Sequence, residues 1–154
     1  MTQISDILNH NGPAALVSVD GETAVYVAVE LMNFYSTGTV LVFEDGVLAG
    51  ILTKRDVLAR ALEPGRDPAC TMAREIMTPS PLCVQLNSEV IDAIRLMRSE
   101  DIAHLPVLDG GLPVGVISLR DAVAFLARSA RSENRELRGL IHGQAAAGAT
   151  ESFF

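Results

Sequence analysis

The sequence has no tryptophan, and aromatic residues make up only 5% of its 154 residues. Proteins that bind single-stranded nucleic acid stack bases on aromatic side chains, so this scarcity argues against that class. Basic residues are also outnumbered, with 12 lysines and arginines against 19 acidic residues and a net charge of −7. An acidic chain without a basic stripe is a poor candidate for binding DNA, RNA or anionic lipid.

Secretory and membrane-spanning segments are not expected either. The first twelve residues, MTQISDILNHNG, contain no basic region and no apolar run, so no signal peptide is predicted. The most apolar stretch, residues 40–52, is interrupted by Glu44, Asp45 and Gly46 and cannot span a bilayer. The only cysteines, Cys70 and Cys83, have no CxxC or histidine neighbours, which favours reduced thiols and a cytoplasmic protein over a disulfide framework.

Motifs for catalysis and for metal binding are missing as well. The histidines, His10, His104 and His142, are far apart and show no metal-ligand spacing. No GxSxG, Walker A or GxGxxG motif occurs. Cys83 aligns with Ser18 in a predicted strand, where a small core residue is a better interpretation than a nucleophile. We therefore predict no metal site and no enzymatic activity.

The chain does contain an internal repeat. Residues 17–62 align without gaps on residues 82–127, at an offset of about 65 residues. The clearest match places GILTKRD, residues 50–56, over GVISLRD, residues 115–121. A period of this length indicates two copies of one structural unit.

Each copy is predicted to fold as β-α-β-β-α. The first strand covers residues 16–19 or 82–84, and the next helix begins at Thr23 or Ser88, each a plausible N-cap. A hairpin follows, formed in the first copy by residues 40–43 and 48–52, and both hairpins turn at glycine-bearing sequences, EDG and DGG. The last helix begins at Thr53 or Ser118.

One unit of about 50 residues buries too little surface to be stable alone. We therefore predict an α/β (α+β) fold in which two pseudo-symmetric β-α-β-β-α repeats pack sheet to sheet. The predicted domains are residues 1–65 and 71–128, joined by a linker at 66–70, with a helical extension and flexible tail at 129–154. Residues 143–154, rich in alanine and glycine, are expected to be disordered.

The start of the last helix carries the best functional signal, Thr53-x-x-Asp56 in the first repeat and Ser118-x-x-Asp121 in the second. Such a pattern is by itself a common capping box. A helix N-terminus also offers free N–H groups to a phosphate, and a nearby carboxylate can accept hydrogen bonds from a ribose diol. Because capping and binding use the same geometry, both interpretations stand.

Basic residues lie beside these acids. Lys54, Arg55 and Arg120 are either solvated or placed to neutralise a phosphate. His104 precedes a predicted strand and is either structural or a phosphate donor close to the dyad between the repeats.

Together the GILTKRD and GVISLRD segments, the HLPVLDGG hairpin and the EIMTPSPLCV segment closely resemble the CBS domain family over residues 1–127. The resemblance implies two clefts between paired repeats that hold AMP, ADP or ATP, with NADH and S-adenosylmethionine as further candidates. It assigns Asp56 and Asp121 to the riboses, and it assigns phosphates to Thr53, Lys54, Arg55, His104, Ser118 and Arg120. It places Thr78 and the strands around Val17 and Leu82 at the adenines, with Leu52 and Ile117 as apolar walls.

The resemblance also implies a homodimer that regulates another, unidentified protein. Helix residues Leu58, Ala61, Leu62, Val123 and Leu126 are candidates for the dimer contact. Two functions remain open at this point: a sensor of adenine nucleotides, and a ligand-free dimerisation module. An enzyme is the weakest alternative, because no candidate base or nucleophile has a partner.

Overall fold

The structure is a computed structural model that describes residues 1–12 and 16–150. Its helices and strands alternate as a mixed α/β chain. In chain order they are α1 (Ile4–His10), β1 (Ser18–Asp20), α2 (Val25–Phe34), β2 (Thr39–Glu44), β3 (Val47–Thr53), α3 (Lys54–Asp56) continued by a π-helical turn (Val57–Ala61), α4 (Ala73–Ile76), β4 (Thr78–Pro79), β5 (Val84–Gln85), α5 (Val90–Ser99), β6 (His104–Asp109), β7 (Leu112–Ser118) and α6 (Leu119–Thr150).

The strands form two sheets with the same core topology. In the first, β1 is parallel to β2, β2 is antiparallel to β3, and β4 adds an antiparallel edge. In the second, β5 is parallel to β6, and β6 is antiparallel to β7. The predicted β-α-β-β-α repeat is therefore confirmed. The hairpins turn where expected, at Asp45-Gly46 and Gly110-Gly111, and all four residues have φ between 51° and 83°, which the three glycines adopt without strain.

Each sheet is covered on both faces. Val40 and Val42 of β2 pack with α2 in the core of the first repeat, whereas Leu41 between them is also fully inaccessible. In β6, Leu105 and Val107 belong to the core of the second repeat, and Pro106 between them is buried. Because neighbouring residues of a strand point to opposite faces, the faces away from the helices are buried too. This burial fits two repeats that pack sheet to sheet.

The repeats exchange their first helices. The side chains of Ile4 and Ile7 in α1 lie in the core of the second repeat, and the Ile4 N–H donates to the Ser88 carbonyl at 2.9 Å. Ala73 and Ile76 in α4 lie in the core of the first repeat. The sequence interpretation had assigned each segment to the repeat that it precedes. Neither core is therefore complete without a segment from the other half of the chain.

This exchange also explains where α2 and α5 begin. The predicted N-caps Thr23 and Ser88 are wrong by one residue, since the caps are Ala24 and Glu89, and neither makes a side-chain cap bond. The Val25 N–H donates instead to the Thr71 carbonyl, 2.9 Å away. At the start of α5, the Val90 N–H donates to the Thr2 carbonyl at the same distance. A backbone carbonyl from the exchanged segment thus accepts the hydrogen bond that a capping side chain would otherwise accept.

The chain beyond the second repeat is one continuous helix. The helical extension predicted from residue 129 is observed as part of α6, which runs 32 residues to Thr150. Disorder was expected from residue 143, and the structure differs there because α6 continues for two further turns. Residues 151–154 of the predicted tail lie outside the described residues.

Gly50 and Gly115 occupy equivalent places in β3 and β7, but their surroundings differ. A methyl group on Gly50 would overlap Met77 Sδ and lie 2.9 Å from the Thr78 carbonyl oxygen, which is backbone and cannot rotate away. A methyl group on Gly115 would meet only the Leu8 side chain, at 3.2 Å.

We expect Gly50→Ala to lower the free energy of unfolding by about 1–3 kcal/mol, the usual cost of overpacking. Gly115→Ala should cost under about 1 kcal/mol, because Leu8 can change rotamer. Urea denaturation of both variants measures the difference. Equal losses would contradict the assigned packing of β4 on β3.

Candidate functional site

Two clefts lie between the repeats. The Asp121 cleft has a volume of about 800 Å³ and contains Val17, Ser118, Arg120 and Asp121. The Asp56 cleft has a volume of about 590 Å³. Both volumes fall within the range of about 300–1,000 Å³ that is typical of small-molecule sites.

In the Asp56 cleft, the carboxylate of Asp56 is already bound on both oxygens. Its Oδ2 accepts from the Thr53 N–H at 2.9 Å and from Thr53 Oγ1 at 3.0 Å. Its Oδ1 accepts from Thr78 Oγ1 at 3.2 Å, which ties α3 to β4. The predicted capping box is therefore present, and Asp56 is only 8% exposed.

In the Asp121 cleft, the equivalent carboxylate is open. The Asp121 N–H donates to Ser118 Oγ at 3.0 Å, so Ser118 caps the helix as predicted. The Asp121 side chain is exposed and makes no hydrogen bond or ion pair among the described residues. Half of the capping box is thus absent here, and both carboxylate oxygens remain available to a ligand.

Each cleft is built by both repeats. The Asp121 cleft takes residues 36–39, the segment before and at the start of β2, and the Asp56 cleft takes residues 100–104, which lead into β6. Gly38 and His104 belong to both clefts. His104 pairs with Ser118 across β6 and β7, so it lies beside the start of α6. The two clefts therefore meet at His104.

Burial lowers the pKa of His104 below its usual value of 6.5, and the nearby carboxylate of Asp121 opposes part of this shift. In the absence of a ligand, His104 is therefore mostly neutral at pH 7. A neutral imidazole retains one N–H donor and can gain a second proton when an anion approaches.

Basic and acidic residues line the Asp56 cleft together. Lys54, Arg55 and Arg60 line it together with Glu100 and Asp101. The guanidinium of Arg60 is partly committed, because Nη1 donates to the carbonyls of Ile76 and Met77, both at 3.1 Å. Acidic residues in the same cleft lower its positive potential and so reduce its attraction for a phosphate.

The structure brings most of the predicted residues to the clefts. Thr53, Lys54, Arg55, Asp56, Thr78, Leu82 and His104 line the Asp56 cleft, and Val17, His104, Ser118, Arg120 and Asp121 line the Asp121 cleft. The predicted walls Leu52 and Ile117 are corrected, since both are buried in the hydrophobic cores. Strand alternation sends the preceding residues, Ile51 and Val116, to the clefts instead.

Sequence reasoning missed the residues that α1 and its C-terminal cap contribute. Asn9 and Asn11 line the Asp121 cleft, where they correspond to Thr78 and Ser80 of the Asp56 cleft. The signal was a second alignment, TQISDIL at residues 2–8 over TMAREIM at residues 71–77, at an offset of about 69 residues. The extra four residues hide this match from a gapless comparison at the first offset.

The described residues give little support for a metal site or for a membrane-spanning helix. Within residues 1–12 and 16–150, no cluster of three or more histidine, cysteine or acidic side chains is placed to hold a metal ion. No helix among these residues has the length and apolar character needed to cross a bilayer.

Comparison with known proteins gives one consistent family. The family model for the CBS domain matches residues 4–63 and 73–128. The chain is 31% identical over 154 residues to the CBS domain-containing protein CBSX3, mitochondrial, of Arabidopsis thaliana, covering 92% of this chain and 73% of that protein. It spans only 19% of the longer Arabidopsis proteins CBSCBSPB2 and CBSCBSPB3.

Solved structures of CBS-domain proteins also resemble this chain. The crystal structure of the CBS domain NE2398 is 31% identical, with a TM-score of 0.76, and the match covers 82% of this chain and 99% of that one. The crystal structure of CBSX2 in complex with AMP is 25% identical, with a TM-score of 0.66, and the match covers 83% of this chain and 98% of that one.

Proposed function

Since this chain belongs to the CBS domain family, we propose that it is a non-catalytic regulatory module that binds an adenine nucleotide between its two repeats. The observation that carries this proposal is the open carboxylate of Asp121, one turn into a long helix and beside a cleft of about 800 Å³. A relative of the same fold is known in complex with AMP. Regulation of a partner protein and a cytoplasmic location belong to the same proposal.

The chemistry of the Asp121 cleft suits a nucleoside phosphate. The carboxylate of Asp121 would accept hydrogen bonds from the two hydroxyls of a ribose. The backbone N–H and the guanidinium of Arg120, together with the hydroxyl of Ser118, would donate to a phosphate, because the N–H groups of Leu119 and Asp121 already donate to Ala103 and Ser118. Val17 and Val116 provide apolar surface for the base.

The direct test is titration calorimetry of the full chain with AMP, ADP, ATP, NADH and S-adenosylmethionine, supported by thermal melting. A ligand present at about 100 times its dissociation constant should add about 2.7 kcal/mol to the stability. Absence of heat and of any melting shift with all five ligands at millimolar concentration would refute the nucleotide-binding function. The chain would then be interpreted as a ligand-free dimerisation module.

Nucleotide binding is expected to strengthen as the pH falls from 8 to 6.5. Free His104 has a lowered pKa and is mostly neutral over this range, whereas a bound phosphate would raise its pKa and favour proton uptake. A group that gains a proton on binding makes the affinity rise as the pH decreases. Calorimetry with AMP at both pH values measures this change.

Two controls isolate the contribution of His104. Adenosine lacks the phosphate and should bind with the same affinity at both pH values. His104→Gln keeps a hydrogen-bond donor but cannot take up the proton, so its affinity for AMP should lose most of the pH dependence. An unchanged pH dependence in this variant would show that the imidazole does not face the phosphate.

A homodimer is also part of the proposed function. Of the helix residues that were candidates for the contact, Leu58, Leu62 and Val123 are exposed, whereas Ala61 is buried and Leu126 packs partly against the second core. Exposed apolar residues at the equivalent positions 58 and 123 fit a symmetric contact. Light scattering at micromolar concentration should give twice the chain mass of 16.4 kDa; a single-chain mass would contradict the dimer.

A further inference from the structure

The C-terminal half of α6 carries apolar side chains that no described part of the chain covers. Leu137, Leu140 and Ile141 are 60%, 64% and 64% exposed, and residues 131–143 are all exposed. These positions lie beyond the second repeat and outside both clefts. Three large apolar residues within five positions of a solvent-exposed helix indicate a surface that docks on something.

Leu137 and Ile141 have the spacing of the contact positions of a two-stranded coiled coil, and Leu140 lies beside them at a g position. Ala127, Ala130, Asn134, Leu137 and Ile141 follow one another at alternating steps of three and four residues, which are the a and d positions of the heptad repeat. Leucine at d with isoleucine at a favours two parallel strands, and one asparagine at an a position selects a register and the dimeric state. All five side chains are exposed.

The charged residues beside these a and d positions favour one relative orientation of the two helices. In the same heptad frame, Glu133 occupies a g position, and Arg131 and Arg138 occupy e positions. In a parallel pair, a g residue meets the e residue five positions later on the partner, which brings Glu133 against Arg138 of a second copy. In an antiparallel pair, e positions meet e positions and arginines would face each other. Only the parallel pair is complementary in charge.

We propose that the C-terminal half of α6 is a docking surface for a second copy of this chain, with the two helices parallel and in register. Two heptads alone would pair weakly, because short isolated helices are only marginally stable. Here the folded repeats begin the helix and hold it formed, so less order has to be created on pairing. Gly139, a poor helix former, falls at the outer f position and does not interrupt the contact.

Cysteine cross-linking of the full chain tests both the partner and the orientation. The native thiols are removed first, as Cys70→Ala and Cys83→Ala. Single cysteines are then introduced at two of the a and d positions, which form the seam of the helix pair, as Ala130→Cys or Ile141→Cys. A third variant, Arg135→Cys, places the cysteine at an outer b position. The two seam sites are eleven residues, or about 16 Å, apart along the helix. A disulfide requires Cα atoms within about 7 Å, so an antiparallel pair could join at most one seam site to its own copy.

We expect both seam variants to form covalent dimers under mild oxidation, and Arg135→Cys to remain at least tenfold less cross-linked. Cross-linking at only one seam site, at neither, or equally at the outer site would overturn the proposal. Because all three positions are exposed, the repeats should stay folded, and circular dichroism verifies this.

A charge exchange supplies an independent measurement. Glu133→Arg should raise the dissociation constant of the dimer about threefold to tenfold, since exposed ion pairs are individually weak. The double variant Glu133→Arg, Arg138→Glu should restore the original value. Failure of the double variant to recover would exclude this pairing of g and e positions. AMP binding should be unchanged in every variant, which separates this proposal from the proposed function.

Discussion

The Asp121→Asn substitution is expected to weaken AMP binding by about tenfold or more, and Asp56→Asn should cost less. An ionised carboxylate that binds a ribose diol makes charge-assisted hydrogen bonds worth about 1.5–3 kcal/mol each, and 1.4 kcal/mol corresponds to a factor of ten in affinity. Both oxygens of Asp121 are free of partners among the described residues. The loss of its charge therefore breaks no hydrogen bond among the described residues, and its other effect is to lower the pKa of His104 further.

Asp56 differs because its carboxylate has structural partners. Three hydrogen bonds from Thr53 and Thr78 hold it, and a ribose would have to displace or share them. Pro106 adds to the difference between the repeats, since it fixes the backbone of β6 where the first repeat has Leu41. Asp56→Asn should thus lower the stability more than Asp121→Asn does.

Calorimetry with AMP and thermal melting are required together for both variants. Asp92→Asn serves as a matched control, because it makes the same change at an exposed acid of α5 that lines neither cleft. If Asp56→Asn abolished binding while Asp121→Asn left it intact, the ranking of the clefts would be reversed. If neither substitution changed the affinity and both variants stayed folded, the assignment of these acids to ribose would fail.

Ile7→Ala is expected to lower the free energy of unfolding by about 2–5 kcal/mol, although Ile7 lies only seven residues from the start of the chain. Its side chain is 1% exposed and belongs to the core of the second repeat. Removal of its outer atoms leaves a cavity between α1 and that core. For a chain of this size the melting temperature should fall by about 5–15 °C.

Ile76→Ala should produce a comparable loss, because α4 fills the equivalent place in the first repeat and Ile76 is fully buried. Ile91→Ala is the control, since Ile91 lies on the outer side of α5 and is 38% exposed. It should change the stability by less than about 1 kcal/mol. A loss at Ile7 no larger than that at Ile91 would show that α1 is not part of the second core.

Much of the fold and of the site follows from the sequence because local signals agree with the repeat. The glycines of the EDG and DGG turns require positive φ, so the hairpins are where the sequence places them. The predicted helix starts at Thr53 and Ser118 are confirmed for a similarly local reason, because the hydroxyls of these residues cap the helices. Asp56 and Asp121 accordingly reach the clefts.

The misassigned residues depend on contacts that are distant in sequence. Leu52 and Ile117 are displaced from the clefts by one position of strand alternation, which an apolar run does not reveal because both faces of the strand are buried. The helix starts at residues 24 and 89 depend on acceptors in the exchanged segments. Asn9 was missed because the alignment that matches it to Thr78 has a different offset from the main repeat.

Because α1 and α4 are exchanged between the repeats, neither hydrophobic core can form until segments from both halves of the chain have left the ribosome. The chain is made from its N-terminus, so α1 emerges first, yet the core that receives it extends to Ile117 and Ala122. The first repeat in turn waits for Ala73 and Ile76 before its own core can close. Contacts that span most of the chain slow folding, because the loops between them must be ordered first. The two halves are therefore expected to reach their native state together, after Ala122 has been synthesised.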